Sequence, residues 1–373
     1  MWRRRVLLAI ALAVTAVALL KGLPRLFYDD VIWSLNGWFV PYDLTIFLRA
    51  GDAVLDGTSP YPAVAALHDD TQYVYPPFVA LLMVPLAVLP SGLAAAAFAW
   101  LSLAAIAGAL WLLGIRDWRC YLVVLVSPLL HEALRWGTIS PFMLLLAALC
   151  WRFRDDLRGA AAAGTALVSK LFLWPLAAWL ALTGRVRSAV VATAGAVIVA
   201  LASWAAIGFA GFADYPGLLR KLDGIAAAES YSVYAIGRTL GLGTAEARAL
   251  AAVTAAALLV LALRAVREGR EGDRRSLTLA LAAALALSPI VWLHYLVLLY
   301  VPIALARPRL SGLWLLPLAL WPFMAAGWFG DWPAGNLEEL LVAAALVLAV
   351  FLAALVRRPG FAGYRLRSWP SSG

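Results

Sequence analysis

Long apolar stretches recur along this chain, and short connections rich in arginine separate them. In a helix, roughly 20 apolar residues cross the ~30 Å core of a bilayer, because lipid offers no partner for backbone N–H and C=O groups. Hydrophobic residues make up 64% of the 373 positions and charged residues only 14%, unlike a water-soluble domain. The sequence therefore predicts an all-α, polytopic integral membrane protein with about 10–12 transmembrane helices.

The arginine-bearing connections predict the orientation, because basic residues beside membrane spans stay in the cytoplasm. The cytoplasmic connections are then residues 116–119, 152–158, 185–187, 267–275 and 307–309, together with the C-terminal arginines. The outward tips are residues 131–140, the neighbourhood of Lys170, the loop 211–242, residues 288–294 and residues 330–336. A net charge of +9 is thus a topology signal and not a nucleic-acid-binding surface, since the basic residues form no stripe on one face.

Three segments admit more than one topology. Residues 6–20 follow three arginines as in a signal peptide, but no small-residue cleavage site precedes Lys21, and we expect an uncleaved anchor. Residues 159–183, about 25 in number, form either a re-entrant hairpin or a single span that breaks the charge rule. Residues 76–114 hold either one span or two helices broken at residues 90–92. We expect one transmembrane domain over residues 1–373.

The first outer loop, residues 24–75, is acidic and contains an amphipathic segment. It has seven aspartates and two arginines, so positive charge does not hold it in the cytoplasm. Residues 43–55 place apolar side chains at helical spacing, which predicts an amphipathic helix on the outer leaflet. Asp43, at the start of this helix, lies where a carboxylate base would meet a lipid-linked substrate. The alternative is a solvated aspartate or a helix cap.

Two ionisable side chains lie inside apolar segments, where a charge costs about 3 kcal/mol on insertion scales. Lys170 interrupts residues 160–182 and could hold a phosphate, or it could extend to the membrane interface. His294 follows a break at Ser288 and Pro289. It could bind phosphate or assist proton transfer, or simply pack at a helix end.

The second outer loop, residues 211–242, combines aromatic rings, hydroxyl groups and an arginine. Tyr231, Ser232 and Tyr234 suit sugar binding, and Arg238 suits a phosphate. Aromatic residues also collect at membrane interfaces without any ligand, and this reading stays open.

The sequence predicts neither a metal nor a cofactor. Its three histidines lack the close spacing of a zinc site, and the aspartate pairs at residues 29–30 and 69–70 are a weak signal for a divalent cation. Cys120 and Cys150 lie in or beside apolar segments, so we expect buried free thiols.

Several of these elements, in this order, resemble a family of membrane enzymes. The matching elements are Tyr42-Asp43, residues 56–61 (DGTSPY), residues 73–77 (YVYPP), residues 170–172 (KLF), and Ser288-Pro289 followed by His294. They resemble the bacterial polyprenyl-phosphate-mannose-dependent mannosyltransferases of the C-type glycosyltransferase superfamily, typified by the mycobacterial phosphatidylinositol-mannoside enzymes. At residues 137–140 (GTIS) the chain departs from that family's Gly-Gln-x-Asn element.

The resemblance implies an inverting transfer of a sugar, with mannose expected, from a polyprenyl-phosphate donor to a lipid or glycan acceptor. The site would face the outside of the cell membrane, with no cofactor. Asp43 would be the general base, and Lys170, Arg238 and His294 would bind the donor phosphate. The substrate-binding residues implied are Tyr42, Tyr75, Tyr231, Ser232 and Tyr234. Two alternatives stay open, an arabinofuranosyltransferase with the same donor class and a transporter or flippase of lipid-linked saccharides. A transporter would show inverted repeats, and the sequence has no clear repeat.

The predicted orientation can be tested with single cysteines in place of Asp43, Asp214, Arg154 and Arg270. A membrane-impermeant thiol reagent should label positions 43 and 214 in intact cells, and positions 154 and 270 only in opened or inverted membranes. Protection of position 43 in intact cells, with labelling in inverted vesicles, would reverse the orientation and place the site in the cytoplasm.

Overall fold

The computed structural model describes residues 30–68, 72–325 and 337–356, together with two single positions nearer the N-terminus. Four parts of the sequence interpretation lie outside these residues. They are most of the N-terminal anchor, the aspartate pair at residues 69–70, the outer tip at residues 330–336 and the C-terminal arginines.

Every regular element in the described part of the chain is helical, which confirms the all-α class. The α-helices are α1 (Asp30–Leu35), α2 (Tyr42–Leu55), α3 (Pro77–Ala87), α4 (Ser91–Leu112), α5 (Trp118–Leu125), α6 (Pro128–Trp136), α7 (Ser140–Arg152), α8 (Leu157–Ser169), α9 (Pro175–Leu182), α10 (Val186–Ala206), α11 (Tyr215–Ala226), α12 (Val233–Thr239), α13 (Thr244–Val266), α14 (Gly269–Leu287), α15 (Tyr300–Ala306), α16 (Gly312–Leu315), α17 (Trp321–Ala325) and α18 (Leu337–Leu355). Short 3₁₀ helices cover Val64–Ala66, Leu171–Leu173, Ala227–Glu229, Leu293–Leu299 and Leu316–Leu320.

The helices α4, α10, α13 and α18 are the four in the described residues that are long and apolar enough to cross a bilayer. Shorter apolar helical segments cover α3, α7, Leu171–Leu182, Leu293–Ala306 and Gly312–Met324. Together they confirm a polytopic membrane protein. The number of spans, about 10–12, stays a prediction because much of the apolar sequence is divided into these short pieces.

The segment from α8 to α9 is a helical hairpin, as the re-entrant alternative requires. Arg154 precedes α8 and Arg185 follows α9, yet both donate to the carboxylate of Asp273, at 3.2 Å from Nε of Arg154 and 2.7 Å from Nη2 of Arg185. Both ends of the hairpin therefore lie on one side, and the chain turns back at Lys170. The 13 residues of α8 rise only about 20 Å at 1.5 Å per residue, too little to cross a bilayer core.

A second polar contact joins two of the connections predicted to be cytoplasmic. The carboxylate of Asp117 accepts a hydrogen bond from the side chain of Arg119 at 2.8 Å and from the backbone N–H of Leu310 at 3.0 Å. The Arg119 guanidinium holds the pKa of Asp117 well below its usual range. Residues 116–119 and 307–309, far apart in sequence, thus lie together, as the charge rule predicts.

Close backbone approach and one buried hydrogen bond fix the hairpin against its neighbours. A Cβ on Gly164 of α8 would lie 2.7 Å from the carbonyl oxygen of Ala192 in α10, so this crossing admits only a glycine. The indole N–H of Trp179 in α9 donates to the hydroxyl of Ser276 in α14 at 3.0 Å. Helix α7 ends beside Asp273, and helices α8 and α14 begin beside it. The opposite ends of these three helices lie at the candidate active site.

Candidate active site

A cavity of about 680 Å³ opens where α7, α8 and α14 end away from Asp273. Most of its lining is apolar or aromatic. Its charged or imidazole side chains are those of Asp43, Glu132, Lys170 and His294. An apolar pocket with a few convergent polar groups is the usual form of a small-molecule site.

Asp43 reaches the cavity from the first turn of α2. The predicted amphipathic helix over residues 43–55 is present as α2, whereas its position on the outer leaflet stays a prediction. Its buried face consists of Leu44, Phe47, Leu48, Ala50 and Gly51. Arg49 and Asp52 lie on the exposed face. A carboxylate in the first turn interacts favourably with the helix dipole, and Asp43 is half-buried there.

Gly137 allows the start of α2 to lie against the end of α6. It terminates α6 with a φ of +67°, in the left-handed region that favours glycine. A Cβ at this position would lie 2.6 Å from Cβ of Pro41 and 2.9 Å from Cβ of Leu44. This contact brings Asp43 and Glu132, which are distant in sequence, into one cavity.

Lys170 is a buried ammonium group surrounded by aromatic rings. It follows α8 in an extended conformation, and its side chain is 7% exposed. The Nζ atom lies 3.6 Å from the ring centre of Tyr295 and 5.4 Å from that of Tyr75, at which distances cation–π attraction stabilises the charge. Within the described residues Nζ has no hydrogen-bond partner, and Lys170 lines the cavity.

His294 lies beside Lys170, at the start of the 3₁₀ helix Leu293–Leu299. It is 5% exposed, and its Nε2 has no hydrogen-bond partner among the residues described. Lys170 interacts electrostatically with His294 on one side and with Asp43 on the other. Of the three residues predicted to converge on the donor phosphate, Lys170 and His294 therefore lie together, and Asp43 is within electrostatic range of Lys170.

The second outer loop reaches the cavity through Tyr231. The backbone N–H of Tyr231 donates to the carbonyl of Val291 at 2.7 Å, and the hydroxyl of Ser230 donates to that of Pro289 at 3.2 Å. Burial raises the pKa of Tyr231, and the neighbouring carboxylates of Glu339 and Glu132 raise it further. The phenol therefore stays neutral and retains a proton that it can donate.

Three predicted site residues lie outside the cavity lining. Ser232 caps α12 by accepting the backbone N–H of Ala235 at 3.0 Å, and Tyr234 is buried in a small cluster with Ala247. Arg238 is exposed and donates to the carbonyl of Leu242 at 2.9 Å. Tyr42, Asp43, Tyr75, Lys170, Tyr231 and His294 line the cavity. The roles predicted for Ser232, Tyr234 and Arg238 gain no support from this arrangement.

The sequence interpretation did not single out Glu132. This carboxylate is 3% exposed, and its Oε2 accepts the indole N–H of Trp136 at 2.9 Å. Both residues line the cavity, and both lie in the tip 131–140 that the charge rule directs outward. In the sequence, Glu132 is recognisable only as an acidic residue directly after His131, beside an apolar run.

No group of three or more histidine, cysteine, aspartate or glutamate side chains converges on a metal-sized space within the described ranges. Cys120 and Cys150 are buried free thiols.

The fold is that of a multi-pass helical membrane protein. At one end of its short helices lies a largely apolar cavity with a few charged side chains. Residues 73–293, more than half of the chain, match glycosyltransferase family 87, and the chain belongs to this family. It is a membrane glycosyltransferase, which confirms the broader part of the resemblance. The match includes Lys170 and Tyr231, begins after Asp43 and ends one residue before His294. Comparison with curated proteins and with solved structures gives no match.

The contact at Gly137 predicts a specific sensitivity, and Gly57 provides a matched control. Both have a positive φ, +67° and +68°, but a Cβ on Gly57 meets nothing within 4 Å. Gly57→Ala should lower the free energy of unfolding by about 1–2 kcal/mol through backbone strain alone. Gly137→Ala should lower the free energy of unfolding by a further ~1–3 kcal/mol, because the new Cβ overlaps Pro41. Thermal unfolding in detergent measures both, and equal losses would show that α2 and α6 separate freely.

Proposed function

We propose that this protein transfers a sugar, with mannose expected, from a polyprenyl-phosphate donor to a lipid or glycan acceptor outside the cytoplasm. The observation that carries the proposal is the presence of Asp43 and the hydrogen-bond-free ammonium of Lys170 in one largely apolar cavity. The first is suited to accept a proton and the second to hold a phosphate. Membership of a glycosyltransferase family makes sugar transfer the reaction that joins them.

The donor phosphate binds beside Lys170 and His294. The ammonium offers three donors. Charge accumulates on the phosphate as the bond to the sugar breaks, and donors already in place stabilise that charge without reorganisation. Apolar lining residues such as Ile46, Val74 and Leu171 provide a surface for the isoprenoid next to its head group.

The acceptor hydroxyl reacts from the side of Asp43. Its oxygen attacks the anomeric carbon while Asp43 takes the proton, and the bond from that carbon to the phosphate oxygen breaks. The bonding electron pair leaves with the phosphate, which Lys170 and His294 hold. Attack from the face opposite to the leaving group inverts the anomeric configuration. Tyr42 and Tyr75, which line the same cavity as Asp43, contact the sugars.

The direct test supplies donors to membranes that contain the protein. Membranes with the wild-type chain are incubated with radiolabelled polyprenyl-phosphate mannose or polyprenyl-phosphate arabinofuranose, and extracted lipids and glycans are separated. Label should move from the mannose donor into a new product, and membranes lacking the protein should give none. Transfer from the arabinose donor alone would favour the arabinofuranosyltransferase. Accumulation of intact donor across sealed vesicles without a new product would favour the transporter.

Asp43→Asn should reduce turnover by about 10²–10⁴-fold, because the amide keeps the shape of the side chain and loses the proton acceptor. Donor affinity should change little, since the phosphate is held by other residues. Asp52→Asn is the matched control, because it alters an exposed carboxylate of the same helix. Turnover and donor KM are measured in nanodiscs at matched expression. Similar turnover in the two variants would remove Asp43 from the mechanism.

Lys170→Met should reduce the rate of transfer roughly tenfold to somewhat over a hundredfold, the effect of losing one charge-assisted contact worth about 1.5–3 kcal/mol. Arg238→Met tests the other cation assigned to the phosphate, which is exposed and outside the lining, and should change the rate less than threefold or so. A properly folded Lys170→Met protein with a normal rate would exclude Lys170 from phosphate binding. A larger loss of transfer rate in Arg238→Met than in Lys170→Met would place the donor phosphate at Arg238 instead.

A further inference from the structure

We propose that Glu132, together with Trp136 and Tyr42, forms the acceptor subsite and binds an uncharged sugar of the acceptor through its hydroxyl groups. This inference rests on the proposed function and narrows the acceptor from any lipid or glycan alcohol to a molecule that ends in a neutral glycosyl unit. Neither the sequence interpretation nor the family match assigns a role to Glu132.

The first support is an unused acceptor atom in a buried position. Glu132 is 3% exposed, and its Oε2 is occupied by the indole N–H of Trp136. Its Oε1 accepts no hydrogen bond from any described residue. Two neighbouring nitrogen atoms, Nη1 of Arg135 and Nδ1 of His131, lie 3.8 Å and 3.7 Å from Oε1, which is beyond hydrogen-bond distance.

A buried carboxylate oxygen without a donor is costly, and proteins retain such groups mainly where a ligand or water completes them. Glu132 is one of the residues that line the cavity, and a ligand there that reaches Oε1 would supply the missing donor. Sugar hydroxyls are donors of the required kind. A carboxylate with two lone-pair directions per oxygen can accept two neighbouring hydroxyls and thereby orient a ring.

The second support is the aromatic surface next to Glu132. The bond to Glu132 fixes the indole of Trp136, and the ring of Tyr42 meets it edge to face at 6.3 Å between centres. Tyr42 is 45% exposed and leaves an apolar face available beside the carboxylate. Flat apolar faces next to a hydrogen-bonding group match the amphipathic surface of a sugar.

The third support is the distribution of charge in the cavity. Glu132 and Asp43 bring carboxyl groups to the cavity, whereas Lys170 brings an amine suited to phosphate. A phosphate near Glu132 would meet a carboxyl oxygen that has no hydrogen-bond donor in the described residues, and like charges in a partly dry pocket repel strongly. The donor phosphate therefore belongs at Lys170, and the group beside Glu132 is neutral. Tyr42 and Asp43 line the same cavity, and the inference requires a sugar on Tyr42 to reach Asp43.

Glu132→Gln tests this subsite with little change of shape, because the amide oxygen still accepts the Trp136 indole N–H. With saturating polyprenyl-phosphate mannose, the KM for octyl α-mannoside as acceptor should rise about 10–100-fold, the loss expected for one charged hydrogen bond. The kcat at saturating acceptor and the donor KM should stay within about threefold of wild type. Glu338→Gln, an exposed carboxylate outside the lining, is the matched control and should leave all three constants unchanged.

Binding without turnover separates this inference from the proposed function. Isothermal titration calorimetry gives the affinities of the protein for octyl α-mannoside and for its 6-phosphate. Wild-type protein should bind the neutral glycoside more tightly, and the ratio of the two affinities should be smaller in Glu132→Gln. If wild-type protein transfers no sugar yet binds the glycoside in a Glu132-dependent way, the proposed function fails and the subsite stands.

Three results would overturn the subsite. One is an unchanged acceptor KM in a folded Glu132→Gln protein, and another is stronger binding of the phosphorylated glycoside by the wild type. The third is a hundredfold loss of kcat at unchanged acceptor KM, which would make Glu132 the base. Trp136→Phe keeps an aromatic ring and removes the indole donor, so it should also raise acceptor KM. Normal KM in that variant would remove the orienting role of Trp136.

Discussion

The whole arrangement depends on the need to pair every backbone N–H and C=O inside lipid. Long helices satisfy this need by themselves, and α4, α10, α13 and α18 do so over 19–23 residues. Where helices stop at membrane depth, the freed backbone groups must face protein or a cavity. The chain breaks after α8, at Lys170, and after α14, at residues 288–292, and both breaks meet at the same cavity. The site therefore lies where the chain can leave helical geometry without exposing its backbone to lipid.

Charge is separated along the short helices that connect the two ends of the fold. At one end Arg154, Asp155, Arg185 and Asp273 form a compensated network, in which each carboxylate has a guanidinium partner. At the other end Lys170 and Glu132 are more deeply buried and each leaves hydrogen-bonding capacity unused. The compensated network stabilises the hairpin ends. Buried groups with unused hydrogen-bonding capacity cost stability, and a ligand that supplies the missing partner would offset that cost.

Hydropathy predicted the helical class, the break at Lys170 and the hairpin tip, because the cost of a charge in lipid is visible in sequence. Helical spacing located α2, and with it Asp43. The position of Arg238 was not predictable, because an arginine in an outer loop can face the cavity or water with the same sequence pattern. Glu132 was missed for the opposite reason. Its burial depends on Gly137, whose left-handed turn brings α2 against α6, and that contact between distant segments has no local periodicity.

The cavity has two regions of different chemistry, one at Lys170 and one at Glu132. A reaction between two substrates needs two such regions. A single anion-binding site would need only Lys170 and its aromatic rings, and a transport path would need matching groups at both ends of the helices. At the opposite end the described residues hold an ion-pair network around Asp273. Asp43 lies within electrostatic range of Lys170, and the ring of Tyr42 meets that of Trp136 beside Glu132. In the proposed transfer, Asp43 would act as a base on a bond formed between a donor held at Lys170 and an acceptor held at Glu132.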